Sequence, residues 1–151
     1  MPQIPGKEES VLLTDWPKAH PEYLNADLEA RWNTLLSYRR DLTRILEGAR
    51  QDKKIGHALD AAVAIYASGE DYDFLSQWKD QLATLLIVSE VSLLNEAAPA
   101  EAVSGEDHGD MKVVVAPSTH EKCERCWIHS ETVGADAEHP TLCARCVSVL
   151  K

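Results

Sequence analysis

KCERCWIHSETVGADAEHPTLCARC spans residues 122–146 and holds all four cysteines of a 151-residue chain: Cys123, Cys126, Cys143 and Cys146. They form two C-x-x-C pairs with sixteen residues between them. Each pair bends the backbone so that two sulfurs can reach one ion, and two such turns complete a tetrahedron. The spacing C-x2-C-x16-C-x2-C falls within the range of structural zinc sites. Four protein sulfurs close the coordination shell and leave no position for a catalytic water. One structural Zn²⁺ is therefore expected, and no catalytic residue is assigned.

The energetics of the tail agree. Residues 120–151 offer only Trp127, Ile128, Val133, Leu142, Val147, Val149 and Leu150 as sizeable apolar side chains, too few to hold a fold unaided. Structural zinc supplies on the order of 10–16 kcal/mol of apparent binding free energy at neutral pH. Arg125 and Arg145 occupy matching positions inside the two pairs, where they can offset the −2 formal charge of a zinc tetrathiolate. Other uses of the cysteines carry less. A redox pair needs one C-x-x-C beside a βαβ unit. Disulfides need an exported chain, and another metal or cluster fits the same ligands. His120, His129 and His139 lie near enough to replace a sulfur, but with four cysteines present they read as surface or supporting residues.

Working outward, the net charge of −10 is unevenly spread. Residues 1–60 carry nine Lys/Arg against ten Asp/Glu; residues 61–110 carry one against ten; residues 111–151 carry five against five. The acidity thus belongs to the middle, and both ends remain possible anion-binding surfaces. No apolar run reaches the roughly 18 residues of a membrane span. MPQIPGKEESVLL lacks the basic-then-apolar pattern of a signal peptide, so a cytoplasmic location is expected.

Pro2, Pro5, Pro17 and Pro21 mark residues 1–24 as an extended lead-in. Asn25 reads as an N-cap, with Asp27 and Glu29 in the first helical turn. Leu28, Trp32, Leu35, Leu42, Leu46 and Ala49 then line one face of a long helix, with Lys53 and Lys54 in its last turn and Gly56 at its stop. Leu59 to Tyr66 alternates as a strand. Tyr72 to Leu86 has helical spacing, and Phe74, Trp78 and Leu82, like Trp32, read as core. Ile87 to Leu94 reads as a second strand, NEAAPAEAVSGEDHGD (95–110) as an exposed acidic linker, and Met111 to Ala116 as a third strand stopped by Pro117. The expected fold is α+β, with the long helix and a second helix packed on a small sheet over 25–94. A strand plus four-cysteine ribbon follows the linker, over 111–151.

Three segments together resemble a known family. KCERCW followed by VG and HPTLCARCV resembles the C-terminal zinc module of bacterial isoleucyl-tRNA synthetases. PGKEESVLLTDWP and ARQDKKIGHALDAAVAIYA resemble the stretches before it, in the same order, so the likeness runs from about Gln3 onward. It implies the tail of a class I synthetase that helps hold the anticodon end of the isoleucine tRNA. The implied partners are that tRNA and the synthetase's catalytic body, with the chain itself a monomer. The departure from the family is large: no His-x-Gly-His motif, no Lys-Met-Ser-Lys-Ser loop and no editing domain occur. Lys54-Ile55-Gly56-His57 lacks the first histidine. The chain alone is expected to be inactive in aminoacylation.

Two surfaces are candidates for RNA. Trp127, anchored by a metal turn, is a stacking platform for an unpaired base, and the resemblance makes Arg125 and Trp127 the anticodon-loop contacts. The competing reading has Trp127 packed on strand 111–116 and Arg125 as solvated counter-charge. On the long helix, Arg39, Arg40, Arg44, Arg50 and Lys54 fall within one arc, and Arg40, Arg44 and Lys54 are its candidate phosphate contacts. The competing reading there is a solvated face with Glu47 paired to Arg44 or Arg50. Beyond RNA, a similar four-cysteine finger ends the formamidopyrimidine-type DNA glycosylases. The glutamate expected beside a proline nucleophile is absent here, leaving a structural ribbon that binds DNA or protein as the alternative.

Overall fold

The computed structural model describes residues 6, 8 and 10–150. Pro2 and Pro5 of the expected lead-in lie outside the described residues. The rest of that lead-in carries two short 3-10 turns, Val11–Leu13 and Pro21–Tyr23, and its Leu12, Leu13, Trp16, Tyr23 and Leu24 side chains are exposed.

Helix α1 runs from Ala26 to Gln51. Asn25 caps it, its Oδ1 accepting the Leu28 N–H at 2.9 Å, and Asp27 and Glu29 sit in the first turn. The far end differs from expectation. The stop is Lys53 in the left-handed region, φ 59°, not Gly56. The Lys54 N–H donates to the Ala49 carbonyl at 2.9 Å and the Lys53 N–H to the Arg50 carbonyl at 3.1 Å, a Schellman pair that satisfies carbonyls the helix leaves open. Leu35, Tyr38, Leu42, Leu46 and Ala49 are buried on one face. Trp32, read as core, is 39% exposed and only leans on Trp78, ring centroids 5.4 Å apart.

Strand β1, Ala61–Tyr66, buries every second residue because alternate side chains of a strand face opposite sides. Two helices follow where one is expected: α2, Gly69–Ser76, and α3, Lys79–Leu86. Between them Trp78 leaves helical geometry (φ −111°, ψ 5°), and its ring is buried beside Phe74. Ile87 does not begin a strand. It ends α3 in the left-handed region, φ 58°, with the Val88 N–H donating back to the Ala83 carbonyl. Strand β2 is Glu90–Leu94, β3 is Val103–Ser104 and β4 is Lys112–Pro117.

The sheet order is β2-β1-β4-β3. β1 and β2 are parallel, in register Val63 to Val91, with α2 and α3 as the crossover; β4 lies antiparallel to β1, Val63 opposite Val115. The core forms where α1, α2 and α3 meet the sheet: Leu35, Leu42, Leu75, Leu82, Ile65, Met111 and Val113 are fully buried. The architecture is α+β, as the sequence implies, with the second helix split.

Residues 95–110 are largely exposed, but they are not a free linker. β3 pairs with β4, and the next residues close on α1. Asp41, fully buried, accepts the Asp107 and His108 N–H groups on Oδ2 at 3.0 and 2.9 Å, and Arg44 on Oδ1 at 2.7 Å. The His108 ring stacks on Tyr38, centroids 3.7 Å apart, and its Nε2 lies 2.9 Å from Ser37 Oγ. Gly105 is required there: a Cβ would sit 2.5 Å from the His108 carbonyl oxygen and 2.7 Å from Asp41 Oδ2. The segment is a strap fastened by one buried carboxylate.

Candidate metal centre and nucleic-acid interface

After β4 the chain enters the cysteine module. Lys122 pairs with His129 in an antiparallel bridge, closing the first knuckle. Inside it the Cys123 N–H donates to the Ile128 carbonyl at 3.0 Å and the Trp127 N–H to the Cys123 carbonyl at 2.8 Å. The second knuckle opens helix α4, Ala144–Ser148, with Cys143 as its N-cap. The Cys146 and Val147 N–H groups donate to the Cys143 carbonyl. The intervening loop is braced by Thr132, whose Oγ1 accepts the Ala144 N–H at 3.1 Å. The module's own apolar contribution is small: Val133 and Leu142 against the cysteines.

The four sulfurs lie within 4.8 Å of one another, and Cys126 Sγ and Cys143 Sγ are 3.7 Å apart. A tetrahedron with Zn–S bonds of about 2.3 Å has edges of about 3.8 Å, so the donor set fits zinc. A disulfide needs about 2.0 Å, and all four cysteines are free thiols. Burial works against ionising Cys123, but N–H groups of Cys126, Cys143 and Arg125 aimed at its sulfur outweigh it and bring its pKa down to about 6. Burial and hydrogen bonds to the other three thiols push Cys146 up to about 11. The arginines cross between knuckles. Arg125 donates to the Cys146 carbonyl at 3.5 Å, while the Cys126 sulfur beside Arg145 raises that guanidinium's pKa. His120, His129 and His139 are not in the sulfur cluster, as the sequence implies.

His120 and His129 instead join the module to the sheet. The His129 N–H donates to Ser89 Oγ at 2.7 Å, and Ser89 donates to the Leu59 carbonyl at 2.5 Å. His129 Nδ1 bonds the His120 carbonyl at 2.7 Å, and Nε2 lies 3.6 Å from Asp60 Oδ1. The Ser118 N–H donates to the Asp60 carbonyl at 2.7 Å, its hydroxyl to Glu90, and His120 Nε2 lies 3.5 Å from Glu90. Sequence reasoning missed this seam, since nothing local marks Asp60, Ser89 and Glu90 as neighbours of residues thirty to seventy positions on.

The candidate RNA contacts separate into two groups. Trp127 is 61% exposed, so it does not pack on β4. Its φ is +65°, a region glycine takes freely and an aromatic residue takes at about 1–2 kcal/mol. Arg125 is exposed beside it. On α1, Arg40 pairs with Asp107 at 3.3 Å, Arg44 with Asp41 and Glu106, and Arg50 with Glu47 at 2.7 Å. The acidic strap therefore lies on the basic arc. Lys54 is exposed and makes no ion pair among the described residues. No described helix is long and apolar enough to cross a membrane.

Comparison with known proteins follows the same division. The family described as "Zinc finger found in FPG and IleRS" matches residues 121–149. The isoleucine--tRNA ligase of Caldanaerobacter subterraneus subsp. tengcongensis is 49% identical over 142 residues, which are 93% of this chain and 15% of that protein. The isoleucine--tRNA ligases of Moorella thermoacetica and Bacillus cereus are 42% and 45% identical over 98% and 99% of the chain. The chain spans about a sixth of the length of each, 16%. With a zinc finger of that type over residues 121–149 and this likeness over nearly all its length, the chain is related to a segment of the isoleucine--tRNA ligases and carries a zinc-binding region like theirs.

Proposed function

We propose that the chain is the tRNA-contacting tail of an isoleucine--tRNA ligase. It holds the anticodon end of the isoleucine tRNA while the remainder of the enzyme, in the cytoplasm, carries out ATP-dependent aminoacylation. One observation carries the reading: an indole is held out to solvent in a backbone conformation that costs free energy. A residue kept in a strained region at an exposed knuckle points to function rather than packing. Trp127 stacks on an unpaired base, and Arg125 supplies charge beside it. The helix arginines are weaker candidates, because Arg40 and Arg44 already have acidic partners; Lys54 stays available to a phosphate. The exposed apolar lead-in, from Leu12 to Leu24, supports the catalytic body as the second partner.

The test is Trp127→Ala in the 151-residue chain, with zinc content checked and affinity for isoleucine tRNA measured beside duplex DNA. Base–aromatic stacking is worth about 1–3 kcal/mol, so tRNA affinity should fall about 5- to 150-fold with zinc unchanged. Equal affinity of the variant removes the stacking role, and a preference for duplex DNA removes the tRNA reading.

A further inference from the structure

The indole of Trp127 has two faces, and the structure treats them differently. Lys122 Nζ lies over the ring, 5.9 Å from its centroid, within reach of a cation–π attraction. The position is built in. The Lys122 backbone is paired with His129 across the mouth of the knuckle, and Nζ is 4.0 Å from Asp60 Oδ1. Asp60 is itself held, its Oδ2 accepting the His57 N–H at 2.8 Å. The lysine side chain is half exposed, and a long, half-exposed ion pair is weak enough to be exchanged for another anion.

We infer that Lys122 is a further RNA contact: its ammonium caps one face of Trp127, the base stacks on the opposite face, and the ammonium pairs with a phosphate flanking that base. The inference rests on the stacking role proposed for Trp127. It adds a direction of approach, since the ammonium lies over one face of the indole, and it adds a charge that accounts for part of the salt dependence. Asp60 acts here as a placeholder that keeps the ammonium near the ring until a phosphate arrives.

The experiment titrates fluorescently labelled isoleucine tRNA with the 151-residue chain between about 50 and 200 mM salt, for the unaltered protein, Trp127→Ala, Lys122→Gln and Lys122→Arg. Zinc stoichiometry is measured on each. Losing one phosphate contact makes the slope of log affinity against log salt shallower by about 0.7–0.9. Lys122→Gln should show that change with full zinc, and Lys122→Arg should restore the slope; a residue that only shaped the knuckle would not move it. If Trp127→Ala weakens binding while Lys122→Gln leaves slope and affinity untouched, Lys122 is idle and the stacking role survives alone. If neither substitution weakens binding, or the unaltered chain does not bind, the stacking reading falls and this one with it.

Discussion

Among the described residues three non-glycine residues sit at positive φ, Lys53, Ile87 and Trp127, and each stands where the backbone reverses. At Lys53 and Ile87 the reversal ends a helix; at Trp127 it completes a metal turn. The cost is similar in all three, about 1–2 kcal/mol relative to the usual regions, yet only Trp127 presents a large side chain beside the metal. Replacing it with glycine should therefore raise the stability of the zinc-loaded protein by about 1 kcal/mol in chemical denaturation, while tRNA binding falls as it does for alanine. A loss of stability instead would mean that the indole packs usefully. At this scale much was legible: the four ligands follow from spacing, and the Asn25 cap from the acids after it. The stops at Lys53 and Ile87 were not, because sequence rules assign left-handed positions to glycine, and Gly56 lay within reach as a decoy.

The most consequential element is the strap from Val103 to His108. Its acidic, proline- and glycine-punctuated composition reads as solvated chain, and its exposure agrees. Its attachment was hidden because the carboxylate that holds it, Asp41, lies more than sixty residues earlier on α1. Asp41→Ala would leave the Asp107 and His108 N–H groups without this acceptor, while Arg44 keeps Glu106. Leaving a part-buried donor unsatisfied costs about 1–3 kcal/mol, so urea unfolding should shift by that order with zinc content unchanged. The split between α2 and α3 was hidden for a related reason. Helical spacing persists through Trp78, and only the space available to a buried indole shows that the backbone must turn there.

At the scale of the whole molecule, two units are stabilised differently. The sheet and the helices α1, α2 and α3 have a continuous apolar core; the cysteine module has little beyond its metal. Chelation should unfold residues from about Lys122 onward, read as new protease cleavage in that region, while the far-ultraviolet signal of α1 persists. Acid should act the same way. Metal binding requires four thiolates, and Cys123 has the lowered pKa, about 6. Cys146, pushed up to about 11, already binds a proton well above that value, so zinc affinity should fall as pH is lowered and fall most steeply below about pH 6, where Cys123 too is protonated in the metal-free protein, as measured with a chromogenic chelator. The direction is fixed: protons compete with the ion, and affinity rises again as pH rises. The seam from Asp60 and Ser89 to His129 decides how the two units meet.

That seam has a thermodynamic consequence. A single hydroxyl, Ser89 Oγ, touches both the Leu59 carbonyl on the way into β1 and the backbone of His129, two residues past Trp127. The indole is thereby aimed before any ligand arrives, with only its own two torsions left to settle. Ordering a mobile side chain or loop on association commonly consumes about 0.5–1.5 kcal/mol per group. A platform already fixed by metal and hydrogen bonds gives up little of that freedom, so most of the interaction energy it makes is retained as affinity.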